Sequence, residues 1–192
     1  MNSEIALKFR LHLEELISLT DDEFEDIYSY FNLKKLRKHQ FLVQEGDSVN
    51  HEYWVVEGLL KTYAIEENGK EHILQFGAEN WWVSDYEAFF QSEKATINID
   101  CIENSILLGL SLNDRKSLCE KYPKMTIFLL RKSNLGYVAL QKRLLSMMKD
   151  SVDKRYEDLI SYNPDLFQRL PKTLIAAYLG VSRETLSRLG KR

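Results

Sequence analysis

Cysteine is nearly absent from this 192-residue chain: Cys101 and Cys119 stand far apart and form no CxxC pair. Neither a disulfide framework nor a structural zinc site is expected. Cys101 falls in an alternating apolar run and reads as a buried small hydrophobe. No apolar stretch approaches the roughly 18 residues that a membrane-spanning helix needs. Met1-Asn2-Ser3-Glu4 lacks the basic start and apolar core of a secretion signal, so a cytoplasmic address is the expectation. The histidines (His12, His39, His51 and His72) are scattered without metal-ligand spacing; most are expected at surface or strand positions, and none is assigned chemistry. No nucleophile–base pair, metal-ligand spacing or phosphate loop is legible, so no catalytic residue is assigned and an enzyme is not expected.

What is present suits one large or two small soluble domains, with 44% apolar and 29% charged residues. The net charge of −3 hides an asymmetry. Residues 1–140 hold 15 Lys and Arg against 23 Asp and Glu, whereas residues 141–192 hold 11 against 6. An acidic body with a basic tail fits a sensor joined to a nucleic-acid-binding module.

The tail carries the most specific pattern. Pro171 suits the first turn of a helix, and Ile175 and Leu179 share one of its faces. Gly180 follows as a left-handed cap, and Ser182 is a good N-cap for a second helix in which Leu186 and Leu189 repeat the apolar face. Ala176, four positions before Gly180, leaves room for two helices to cross steeply. This is the helix-turn-helix pattern. The outward Arg183, Glu184 and Arg188 offer groups suited to base edges, guanidinium to the acceptors of G and carboxylate to the amino group of C.

Ser182-Arg183-Glu184-Thr185 followed by Arg188 resembles the recognition helix of the catabolite activator and fumarate-nitrate regulator (Crp/Fnr) family of bacterial transcription factors. The resemblance implies base reading by Arg183, Glu184 and Arg188, phosphate contacts near Lys172, Ser182 and Thr185, double-stranded DNA as a partner, and RNA polymerase as another. It also implies a homodimer, while the lack of a long apolar run makes a membrane partner unexpected. Some family members hold an iron–sulfur cluster through cysteines near the N-terminus; here none precedes Cys101, and no cofactor is expected.

Upstream, residues 4–19 read largely as helix, and Thr20-Asp21-Asp22-Glu23 is a capping box for a second helix to about Phe31. From Leu33 to Leu110 short alternating runs are separated by turns, with Asn68-Gly69 a hairpin signal. A small antiparallel roll is expected. With the Glu45-Gly46-Asp47 turn and Gly58, it resembles the cyclic-nucleotide-binding β-roll of the family. Members that bind cyclic nucleotide carry a Gly-Glu pair and, about ten residues on, an Arg-Ser or Arg-Thr pair. Here no glycine lies between Ala78 and Phe90, and Lys94 stands about where the arginine is expected. Lysine keeps the charge but lacks the planar fork. An effector other than cyclic AMP, or none, is therefore expected. The aromatic cluster Trp81, Trp82, Tyr86, Phe89 and Phe90 reads either as core or, with Lys94, as a pocket for a less charged effector.

Pro123 opens a long helix to about Lys149. Ile127, Leu130, Tyr137, Leu144 and Met148 fall on one face, and Phe128, Leu135, Val138 and Leu145 on another. Two apolar faces need two covers: the roll, and either the same helix of a second subunit or the chain's own N-terminal helices. Asn134 and Gln141 lie near the first face and can set register. Asp150-Ser151-Val152-Asp153 starts a further helix that ends at Ser161-Tyr162-Asn163-Pro164. Phe167 to Leu170 is too short for the strand hairpin, or wing, that many relatives insert.

The expected fold is α+β: an N-terminal antiparallel β-roll of double-stranded β-helix type with flanking helices, a long dimerisation helix, and a C-terminal helix-turn-helix. The corresponding divisions are a sensor at 1–122, the dimerisation helix at 123–149 and the DNA-binding domain at 150–192. The rival reading is a ligand-binding signalling module that docks a protein partner through its C-terminal helices.

Overall fold

The computed structural model describes residues 3–162 and 164–189, so Asn163 and the chain end at Arg192 lie outside the described residues. Two compact units emerge: Met1–Thr62 with Phe76–Ser133, and Tyr63–Gln75 with Asn134–Arg192. By compactness the chain divides inside the long helix, and the outer part of one hairpin groups with the C-terminal helices.

In the first unit, α1 (Ser3–Glu14) and α2 (Asp21–Ser29) are joined by the capping box read from the sequence. Thr20 Oγ1 accepts from Glu23 N at 3.2 Å, and Glu23 Oε2 accepts from Thr20 N at 2.9 Å. That cap holds Thr20 extended, at ψ 168°, so the chain must leave helical geometry before it; α1 ends at Glu14 rather than near Leu19. α1 buries Ile5, Ala6, Phe9, His12 and Leu13 and leaves Leu7 and Leu11 exposed. His12 is thus a core residue, apart from the surface or strand positions expected for most of the histidines, because its helical position shares the face of Phe9 and Leu13.

Among the described residues, eight strands follow: β1 (Asn32–Leu36), β2 (Phe41–Val43), β3 (His51–Glu57), β4 (Leu60–Ile65), β5 (Glu71–Gly77), β6 (Trp82–Val83), β7 (Asn98–Cys101) and β8 (Ser105–Ser111). They form two four-stranded sheets, in the orders β1-β8-β3-β6 and β2-β7-β4-β5. The pairs β1–β8, β3–β8, β3–β6 and β2–β7 are antiparallel. Val55, Leu60, Val83, Phe89, Ile99, Cys101 and Leu107 fill one apolar core, with the Cys101 thiol fully buried. A second core gathers Trp54, Leu108 and Leu110 with Phe9, Leu13, Phe24 and Ile27 of α1 and α2.

A short helix, α3 (Tyr86–Gln91), lies between β6 and β7. α4 (Leu112–Lys121) follows β8, capped by Ser111, and α5 (Pro123–Lys149) follows α4. Met125, Phe128 and Leu129 enter the same core as α1 and α2. The N-terminal helices therefore cover that inward face only. Ile127, Leu130, Asn134, Tyr137, Gln141, Leu144 and Met148, spaced alternately by three and four, are all exposed, as are Leu135, Val138 and Leu145.

The second unit adds α6 (Val152–Tyr162), α7 (Pro164–Arg169), α8 (Lys172–Leu179) and α9 (Arg183–Leu189) to the outer β4–β5 hairpin. Gly69, at φ +82°, makes the Asn-Gly turn that was read from the sequence. Leu159, Leu170, Ile175, Ala176, Leu179 and Leu186 are buried, and Tyr156 meets Phe167 edge-on at 5.8 Å. The segment read as too short for a strand hairpin is helical through Arg169, within α7.

Candidate nucleic-acid interface

The helix-turn-helix is built by local chemistry before any packing. α8 starts after Pro171 and ends on Gly180, whose φ of +72° is open to glycine without strain. Gly180 N donates to Ala177 O at 3.2 Å, and Val181 N to Ala176 O at 3.0 Å, so two of the four unpaired carbonyls of the last turn are satisfied by the turn itself. A Cβ at Gly180 would also stand 3.3 Å from Met147 Cε. Ala176 is buried at the crossing, as its small side chain requires.

α9 is then launched by Ser182, whose Oγ accepts from Thr185 N at 3.2 Å and pairs with Thr185 Oγ1 at the same distance. Leu186 is buried, which fixes the rotation of the helix and leaves Arg183, Glu184, Ser187 and Arg188 exposed. These four share one exposed face of α9. Arg188 Nη2 donates to Thr185 Oγ1 at 3.2 Å, so its guanidinium lies along the helix. The Glu184 carboxyl is held below its ordinary range by its own backbone amide and by the Ser182 hydroxyl. The face therefore presents two permanent cations and a carboxylate. Lys172, at the start of α8, is exposed.

The structure brings the base-reading residues of the sequence analysis onto one surface. Of the three residues read as phosphate contacts, Ser182 and Thr185 have hydroxyls already engaged in the cap. Ser187, not among the contact residues named from the sequence, stands on the same exposed face.

The expected effector residues are not gathered in the same way. Trp82 packs against Phe31 and Phe128, and its Nε1 donates to His12 at 3.2 Å. Tyr86 stacks on Phe90 at 6.1 Å, Trp81 is 41% exposed, and Lys94 Nζ donates to Ser48 Oγ at 3.0 Å. The cluster is thus divided: Phe89 is core, Trp82 is half-buried, and Trp81, Tyr86 and Phe90 are exposed. Between β6 and β7, where the resemblance to cyclic-nucleotide-binding rolls implies a phosphate site, this chain buries its own carboxylate. Asp85 caps α3 through Ala88 N at 3.2 Å and accepts from Thr96 N at 2.8 Å.

Comparison with known proteins agrees with this architecture. The cyclic nucleotide-binding domain model matches residues 33–122. The anaerobic regulatory protein of Haemophilus influenzae is 27% identical, with 97% of this chain and 74% of that protein covered. The fumarate and nitrate reduction regulatory protein of Vibrio cholerae is 25% identical, with 97% and 76% covered. The crystal structure of a protein of the crp/fnr family from Eubacterium rectale superposes with a TM-score of 0.70 at 15% identity, covering 90% of this chain and 82% of that one. A cyclic nucleotide-binding domain at 33–122, similarity to regulatory proteins over nearly the whole chain, and a fold shared over 90% of it with a crp/fnr-family protein together support the Crp/Fnr family of transcriptional regulators.

Proposed function

We propose that the chain binds DNA sequence-specifically as a homodimer and that α9 is the reading element. Arg183, Glu184 and Arg188 address base edges, while Lys172, Ser182 and Thr185 lie against phosphates. The observation that carries this is the shared exposed face of Arg183, Glu184, Ser187 and Arg188, on a helix whose opposite side is anchored by buried Leu186. A helix held that way can enter a major groove with its polar face leading.

The dimer follows from α5. Tyr137 is 67%, Leu144 61% and Met148 76% exposed, and a seam with this three-four spacing is covered most directly by its own twin. A twofold pair would set two α9 helices about one DNA turn apart, ~34–36 Å. In this reading residues 1–122 are the sensor, 123–149 the dimerisation helix and 150–192 the DNA-binding domain. RNA polymerase is the further partner and the cytoplasm the compartment, in line with regulators of this family. The sensor answers to something other than cyclic AMP, or to nothing: Asp85 is committed to the backbone and Lys94 to Ser48.

The test is unbiased selection of duplexes from a random pool by the full-length protein, repeated across a salt series. Enrichment of a palindrome with half-sites about 10 base pairs apart supports the reading. Binding without any selected sequence would overturn it in favour of a module that docks a protein partner.

A further inference from the structure

Arg143, on α5, spends a single nitrogen on two different elements. Its Nη2 donates to Ile73 O of β5 at 2.8 Å and to Tyr178 O of α8 at 3.0 Å. The guanidinium carbon lies 3.6 Å from the centre of the Tyr178 ring. All three residues belong to the same compact unit. Burial pulls the Arg143 pKa down, against the pull of Tyr178, but a guanidinium stays charged at any ordinary pH.

Tyr178 O is not an arbitrary acceptor. It is one of the four terminal carbonyls of α8, and the turn amides take only Ala176 O and Ala177 O. The last, Leu179 O, accepts from Arg155 Nη2 at 3.0 Å, and Arg155 Nη1 also bonds Met147 O and Asp150 O at the α5–α6 junction. Two arginines thus complete the end of the helix that feeds the recognition turn, where cations are also favoured by the helix dipole. They differ in what else they hold. Arg155 ties that end to the neighbouring helices, whereas Arg143 ties it to the β4–β5 hairpin.

We propose that Arg143 is a positioning residue for the recognition helix, through which the β4–β5 hairpin sets the order of the turn between α8 and α9. The two hydrogens of Nη2 are both consumed, so a hairpin movement that displaces Ile73 O must break that bond or drag Tyr178 O with it. Lysine cannot replace this: it has neither the planar stack on Tyr178 nor the same fork. Arg143 needs no contact with DNA to do so, and this inference rests on the DNA-reading role of α9.

The test combines Arg143→Ala with Gly69→Val, which strains the hairpin turn at φ +82°, and reads both binding and amide exchange. Arg143→Ala should weaken the selected duplex about tenfold, the scale of a lost charge-assisted bond, and leave random DNA unchanged. It should also speed exchange at Gly180 and Val181. Gly69→Val should reproduce both effects in the parent protein and add nothing in Arg143→Ala. Arg143→Lys, which keeps stem and charge, should fall between and serves if the alanine variant does not fold. Additive effects of the two substitutions, or unaltered turn exchange in both arginine variants, would overturn the proposal. If the parent selects no duplex, the DNA reading fails, and exchange at Val181 still decides whether hairpin and turn are coupled.

Discussion

Trp82 Nε1 donates to His12 Nε2 at 3.2 Å, a bond that requires His12 to be neutral with its proton on Nδ1. The imidazole lies flat on Trp54 at 4.9 Å and edge-on to Phe128 at 5.4 Å. Protonation would place a charge in this aromatic box and turn the accepting nitrogen into a donor facing another donor. Burial first, and Lys132 second, lower the His12 pKa to about 4, although Glu15 opposes them.

The consequence is a pH-dependent loss of stability. Between about pH 6.5 and 4 the unfolded chain protonates His12 and the folded chain does not, so stability falls as pH falls across that window. At about 1.4 kcal/mol per pH unit the full loss is about 3 kcal/mol. Urea unfolding at pH 7.0, 5.5 and 4.5 should show a shallower pH slope for His12→Phe than for the parent, on top of a constant cost for the stranded indole N–H. Equal slopes would remove His12 as the cause.

Asp85 gives a second prediction. Its carboxylate, almost wholly buried, serves Ala88 N, Thr96 N and Thr96 Oγ1. Asp85→Ala leaves the buried Ala88 amide and the part-buried Thr96 amide without this acceptor and should cost about 1–3 kcal/mol in denaturant unfolding. Asp85→Asn, which keeps one acceptor oxygen, should cost less. Because this carboxylate fixes the segment and Lys94 offers only a point charge, saturating cyclic AMP should leave the melting temperature unmoved. A saturable rise would refute that part.

For the interface, Arg183→Ala should cost about 1–3 kcal/mol on the selected duplex and relax preference at one base pair. Lys172→Ala should weaken selected and random DNA alike and flatten the salt dependence. Competition binding at several salt concentrations separates the two. Equal losses on both DNAs for Arg183→Ala would count against base reading.

Legibility in the sequence followed the range of the interactions. The Thr20–Glu23 box, the Asn68-Gly69 turn, Gly180 and the Ser182 cap act within a few residues, and all were readable. Which face of α9 is exposed was readable because its anchor, Leu186, lies within the same helix. His12 was not, since its partners Trp54, Trp82 and Phe128 come from β3, β6 and α5. Arg143 and Arg155 bond backbone carbonyls, which carry no residue-type signal, and Asp85 pairs with Thr96 across a loop. On α5, periodicity gave two apolar faces, but which one the roll would take depended on the packing of Met125, Phe128 and Leu129.

That packing leads to the prediction on assembly. Leu144 is exposed on the α5 seam, with Tyr137 seven residues before it and Met148 four after. Burying a leucine contributes about 1.5–3 kcal/mol, and a twofold interface counts each position twice, so about 3–6 kcal/mol of dimer stability depends on this one site. A carboxylate there would also be desolvated against its own twin. Leu144→Glu should raise the dimer dissociation constant by about 10²–10⁴-fold, at 1.4 kcal/mol per tenfold. Sedimentation equilibrium should show a folded monomer at concentrations where the parent is a dimer. The variant should then bind a single half-site as well as the parent subunit does, yet lose the added affinity for the palindrome. Were the parent itself monomeric at the concentrations that select a palindrome, the seam on α5 would not be the element that pairs the two reading heads.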